Sequence, residues 1–206
     1  MSEKKEILGV LCSGRGSNLQ SIMEAIEAGQ IKAPISVVLV DKPGAKALDR
    51  AAQAGIPGIC VDRKACASQQ EFEEKLVAEL EKHGVTLVIL AGFMRILSPY
   101  FIRKYPQRIL NIHPSLLPSF GGAHAHRDVL AYGAKVSGCT IHFVDEGMDS
   151  GPIILQTAVP VEEGDDEDTL AARVLVQEHK LYPRAIELFL AGRLSIEGRR
   201  VIIKEA

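Results

Sequence analysis

Asn111 and His113 stand two positions apart at the end of Arg108-Ile109-Leu110-Asn111-Ile112-His113-Pro114, and they carry the chemistry most easily read from this chain. In extended backbone, alternate side chains leave from one face, so an amide donor and a titratable imidazole would stand side by side. Pro114 biases His113 away from helix and removes a backbone donor. Such a pair suits stabilisation of an oxyanion formed during acyl transfer. A second segment, Asp145-Glu146-Gly147-Met148-Asp149-Ser150-Gly151-Pro152, contributes acids, of which Asp149 could orient the imidazole and favour its charged form. On spacing alone, Asn111 and His113 could equally well finish a turn before Pro114 and Pro118.

Several elements must hold these groups. Ile7 to Cys12 is a continuous apolar run, typical of a strand covered on both faces. Ser13-Gly14-Arg15-Gly16-Ser17-Asn18 follows, and Leu19, Ile22, Met23 and Ile26 then recur at helical spacing. Strand, glycine turn and helix is an arrangement that aims backbone N–H groups and a helix N-terminus at an anion. A dinucleotide fingerprint would need a third glycine where Leu19 stands, although Asp41 mimics the ribose-binding acid of such folds. The loop therefore reads as a cradle for a single phosphate. The competing reading is a tight turn in which Ser17 or Asn18 caps the helix.

The alternation continues with a strand at Ile35 to Val40, a helix at Ala45 to Ala54 and a short strand at Pro57 to Val61. A longer helix runs from Gln69 to His83, followed by a buried strand at Val85 to Leu90. Ser98-Pro99 is a good N-cap and first-turn pair for a helix through Lys104. Strands from Val136 to Val144 and Ile153 to Val161 follow, then a helix from near Thr169 that Pro183 should kink or restart. Two short strands around Glu197-Gly198 close the chain. The expected class is α/β, a doubly wound, mostly parallel sheet with helices on both faces and mixed strands toward the C-terminus. Ligands in such sheets bind outside the carboxyl ends of the strands, where the first glycine loop, Met94–Leu97 and Asn111 with His113 would lie.

Asn111-Ile112-His113-Pro114-Ser115-Leu116-Leu117-Pro118, followed later by Asp149-Ser150-Gly151-Pro152, resembles the folate-dependent formyltransferase superfamily. The similarity runs from Ile7 to about Arg193 and, with the glycine-rich start, is strongest to members that formylate phosphoribosylglycinamide in purine biosynthesis. The resemblance implies a Rossmann-like formyltransferase fold, residues 1–206 as one domain, and 10-formyltetrahydrofolate as co-substrate with no metal. By the same resemblance Asn111, His113 and Asp149 are catalytic, and Gly16, Ser17 and Asn18 hold the acceptor's ribose phosphate while Glu178 holds its ribose hydroxyls. Met94, Arg95, Ile96 and Leu97 would line the folate pocket with Asn111, Asp145, Glu146, Gly147, Met148 and Asp149. From periodicity alone Met94, Ile96 and Leu97 read instead as core, and Glu178 as a solvated helix residue. Two positions depart from the family pattern: Gln69-Gln70 stand where relatives often carry Arg-Glu, removing a charge that could meet a folate carboxylate, and Gly121 replaces a common proline.

Composition narrows the partners. Apolar content of 47% with 24% charged residues and a net charge of -2 describes an ordinary globular chain with no global pull toward nucleic acid or membrane. The first six residues lack a signal-peptide pattern, and four cysteines without metal-ligand spacing point to reduced thiols in a cytoplasm. His124 and His126, two apart at a helix start, face different ways and lack a surrounding ligand pattern. Monomer and dimer remain equally open. A deformylase of the same donor is the nearest rival, but such enzymes usually carry a preceding regulatory domain, for which a first strand at Ile7 leaves no room. A non-catalytic nucleotide-binding module would explain the first loop and Asp41, but not the downstream trio.

Overall fold

Runs of apolar and β-branched residues become strands here because both of their faces are covered. The computed structural model describes residues 5–205, which pack as two compact units that divide between Leu110 and Asn111. Most of the charged start, with its missing signal-peptide pattern, lies outside the described residues. The fold is α/β, with a mostly parallel, mixed sheet and helices around it.

In the first unit, β1 (Leu8–Cys12) is buried at every position and pairs in parallel with β2 (Ile35–Val40). The helix α1 (Ser17–Glu27) connects them and buries Leu19, Ile22 and Met23. Next come α2 (Ala47–Gln53) and β3 (Gly58–Cys60), each shorter than its apolar pattern suggests, with β3 parallel to β2. The helix α3 (Gln69–Lys82) is capped by Ser68, whose side chain accepts from the Glu71 N–H at 3.0 Å, and it buries Phe72, Leu76 and Leu80. The strand β4 (Leu87–Leu90) returns beside β1, so the order is β3-β2-β1-β4. The helix α4 (Pro99–Lys104) begins after Ser98 as expected, yet the Ser98 hydroxyl does not cap it, because it donates to Glu73 instead.

The strand β5 (Ile109–His113) carries the chain into the second unit. There α5 (Ala125–Tyr132) precedes β6 (Val136–Phe143) and β7 (Ile153–Pro160), which pair antiparallel. The helix α6 (Glu167–Leu190) starts with a capping box between Asp166 and Thr169. Pro183 does not restart it: the helix is continuous through that residue, against the expectation from the missing N–H. Val129, Cys139, Val159, Leu170 and Val174 form a core in which α5, the β6–β7 pair and α6 meet. Each such buried side chain contributes roughly 1.5–3 kcal/mol. The acidic run before α6 is partly neutralised, since the Arg173 guanidinium contacts Asp165 at 2.6 Å and holds its carboxyl well below the usual range. The last strands, β8 (Leu194–Glu197) and β9 (Arg200–Ile203), form the expected hairpin, with β9 parallel to β7.

Ser68 caps α3 with its side chain, so Ser68→Ala should lower stability by about 1 kcal/mol. Urea unfolding of the two proteins measures this, and an unchanged midpoint would mean that Glu71, which accepts from the Ala67 N–H, holds the helix start unaided.

Candidate active site

Asn111 and His113 end β5 and do not merely close a turn; His113 is buried and Asn111 half-buried. The Asn111 Nδ2 group donates to His142 Nε2 at 3.1 Å. The other nitrogen of that ring, Nδ1, donates to the Phe143 carbonyl at 2.8 Å. One nitrogen donating and one accepting defines a neutral imidazole in one tautomer. Burial lowers the His142 pKa, outweighing the Phe143 carbonyl and the Asp149 charge, which favour the proton. The amide of Asn111 is thereby oriented, with a second N–H left to donate elsewhere.

His113 is held differently. Its Nε2 donates to the Phe120 carbonyl at 2.9 Å, so Nδ1 is the nitrogen turned toward Asp149 Oδ2, 3.5 Å away. With Nε2–H committed, only the protonated ring offers an N–H to that carboxylate. Asp149 also lies 4.0 Å from His142 Nε2 and accepts from the Gly122 N–H at 2.8 Å. One short turn, Phe120 to Gly122, therefore contacts both His113 and Asp149. Ser115 supports it by donating to the carbonyls of Ser119 and Phe120 at 2.6 and 3.1 Å. The stretch after His113 is tied to β6 as well, because Thr140 Oγ1 donates to Ser115 O and accepts from Leu117 N and Gln156 Nε2.

Asp149 has a left-handed backbone (φ 51°), which an aspartate tolerates better than most residues. Its loop is closed by Asp145, whose Oδ1 accepts from Gly147 N at 3.1 Å and Ser150 Oγ at 2.7 Å. Asp145 is thus half-buried and internally bonded, whereas Glu146, Gly147 and Met148 are exposed. Gly151 is needed for contact: a Cβ there would stand 1.8 Å from the Phe143 carbonyl oxygen.

In the first unit the glycine loop ends with Gly16 in the left-handed region (φ 70°) as the residue before α1. Neither Ser17 nor Asn18 caps that helix; both lie inside it, and the cap position, Gly16, makes no side-chain cap hydrogen bond. A Cβ on Gly16 would stand 3.0 Å from Ala47 Cα. Arg50, which spacing did not single out, donates to the Arg15 carbonyl at 2.9 Å and brings a cation to the loop. Beside it, Met94 N donates to Ser13 Oγ at 2.8 Å, and Arg95 pairs with buried Asp41 at 2.7 Å. Met94 and Ile96 are exposed (72% and 66%) rather than core, while Leu97 is buried. Gln69, read as a lost charge, donates to Glu73 and to the Ile96 carbonyl. Glu178 is buried on α6, not solvated.

The formyl transferase family matches residues 7–186. The chain belongs to that family. It is 46% identical to the phosphoribosylglycinamide formyltransferase of Escherichia coli (strain K12), over 91% of this chain and 88% of that protein. It is also similar to a solved glycinamide ribonucleotide transformylase 1 from Symbiobacterium toebii, with a TM-score of 0.96, 49% identity, and 98% and 95% of the two chains covered. The trifunctional purine biosynthetic protein adenosine-3 of Drosophila melanogaster is 45% identical over 93% of this chain, which spans only 14% of that protein's length. Among the described residues of this formyl transferase family member, no helix is long and apolar enough to cross a membrane.

His142, like Arg50, is a site residue that sequence reasoning missed, because its bond to Asn111 joins neighbouring strands that lie far apart in sequence. Its lowered pKa has a consequence for stability. The unfolded chain takes up this proton first as pH falls below about 6.5, so the folded state loses stability from there down through the depressed value, and loses no more below it. His142→Gln should therefore flatten the decline in urea midpoint between pH 7 and pH 5, with half-buried His126, also lowered by desolvation, supplying part of the remaining slope. Parallel pH profiles of variant and wild type would contradict a neutral His142.

Proposed function

We propose that this chain transfers the formyl group of 10-formyltetrahydrofolate to the amine of phosphoribosylglycinamide, a step of purine biosynthesis, with residues 1–206 acting as one formyltransferase domain. The observation that carries this reading is the cluster of a pre-oriented Asn111 amide, an inward-bonded His113 and Asp149. The family match across residues 7–186 and the similarity to phosphoribosylglycinamide formyltransferases over nearly their full length support it.

The amine attacks the formyl carbon directly; an N–C bond forms and the carbonyl electron pair moves to oxygen. The second Asn111 N–H and protonated His113 are donors suited to that oxyanion. Collapse of the intermediate expels the folate nitrogen, which gains a proton while the attacking ammonium loses one. Asp149, directly or through water, accepts the second proton, and His113 supplies the first. No enzyme nucleophile is required. Burial pushes the Cys12 and Cys139 thiols up to about 12, which removes the thiolate such a role would need. The uncapped start of α1 with Gly16, Ser17 and Asn18 takes the acceptor's phosphate, Arg50 adds charge beside it, and Glu178 takes the ribose hydroxyls. Met94, Arg95, Ile96 and Leu97, with the 145–149 loop, take the folate. Small molecules are then the only partners the reaction needs. A formyl-transfer assay with and without the amine decides between this reaction and hydrolysis, since equal folate turnover without acceptor would make the chain a deformylase.

Asn111→Ala and His113→Ala should each lower turnover about a hundred- to a thousandfold, with substrate affinities changed much less. The His113/Asp149 double variant should lose less than the sum of the single losses, because the two act as a unit. Additive losses would break the proposed pairing.

Gly16→Val should raise the Michaelis constant for the ribonucleotide far more than for the folate, since it fills the approach to the α1 N-terminus and strains a left-handed position. Equal effects on both substrates would move the phosphate elsewhere.

A further inference from the structure

Buried acids hold the two ends of the segment from Met94 to Ser98. At one end Asp41, 2% exposed, accepts from Arg95 Nε at 2.7 Å, and Met94 N is bonded to Ser13 Oγ. At the other end Glu73, 1% exposed on α3, accepts from Ser98 N at 2.8 Å, from the Ser98 hydroxyl, and from Gln69 Nε2 at 2.9 Å. Gln69 Nε2 also donates to the Ile96 carbonyl at 3.1 Å. A carboxylate is costly to bury, and three donors converging on one offset that cost while fixing whatever carries them. Between the anchors Met94 and Ile96 remain exposed on a backbone held at both ends.

We infer that Glu73, with Gln69, is a positioning element for a preformed apolar platform at Met94–Leu97, and so sets affinity for the flat co-substrate without touching it. The inference rests on the proposed assignment of this segment to the folate. Preorganisation matters here because a loop already ordered gives up little further freedom when it binds. Gln69 then acts through its inward hydrogen bonds, and the charge it lacks is secondary. Asp41, which resembles a ribose-binding acid by position, is instead committed to Arg95 at the opposite anchor.

The test uses the full-length protein and two separate readouts. Amide hydrogen exchange of residues 93–98 is followed without ligand, and steady-state constants are measured for both substrates. Glu73→Ala should speed exchange across the segment and raise the Michaelis constant for the folate on the order of tenfold, with turnover and the acceptor's constant within about twofold. Glu73→Gln, which keeps an acceptor oxygen, should recover most of both effects. If Glu73→Ala does not fold, Gln69→Leu, which removes only the Ile96 and Glu73 bonds, carries the same two measurements. Unchanged exchange would overturn the positioning role whatever the kinetics. Faster exchange with the acceptor's constant rising and the folate's unmoved would keep the positioning role but overturn the folate assignment. Faster exchange with neither constant altered would overturn the inference itself.

Discussion

Two imidazoles buried close together can be kept only if every ring nitrogen has a partner, and the second unit is arranged around that requirement. Leaving one polar nitrogen unsatisfied in such a place costs about 1–3 kcal/mol. His142 meets the demand with a carbonyl and an amide; His113 meets it with a carbonyl and a carboxylate. The different partners give the two rings different settings. The ring of His142 lies between a carbonyl and an amide donor, and that of His113 between a carbonyl and a carboxylate.

Backbone groups do much of this work. Phe120 offers its carbonyl to His113, and Gly122 offers its N–H to Asp149, so a single turn is in contact with both side chains. Ser115 and Thr140, both fully buried, hold that turn and the strand end through oxygen atoms alone. The first unit follows a parallel logic with carboxylates: Asp41 and Glu73 are buried acids whose partners lie on the segment they hold. In both units polar burial specifies the position of residues that face outward.

How much of this was legible in the sequence depends on range. The apolar runs of β1, β2 and β4 were plain, because burial on both faces leaves continuous Val, Leu and Ile. The class of fold and the strand-end location of Asn111 and His113 followed from them. Element ends were less plain: α2 begins at Ala47 rather than Ala45, since Ala45 belongs to the turn that precedes it. Ser17 looked like a cap because its type favours caps, but the left-handed Gly16 takes that place. Glu73 was invisible, lying among the charged residues of α3, where only its distant partner Ser98 explains its burial. Met94 and Ile96 have core-like composition, and nothing local distinguishes an apolar side chain held outward from one turned in. Long-range hydrogen bonds leave no periodic trace.

The β6–β7 pair contains one irregularity whose meaning is arithmetical. Ile141 opposes Leu155, but His142 opposes Ile153, so Ile154 is one residue more than a regular ladder would hold. Such a bulge bends its strand and re-aims what leaves it. What leaves β7 here, read backwards, is the loop with Asp149. Because side chains alternate with a period of two, removing the extra residue would change the parity of everything from Ile153 back to that loop. The acid would still be present in the chain, and Asn111 and His113 would be intact, yet the carboxylate would emerge on another heading. Chain length between the bulge and Asp149 therefore sets the carboxylate's heading, whatever residues fill the intervening positions of β7.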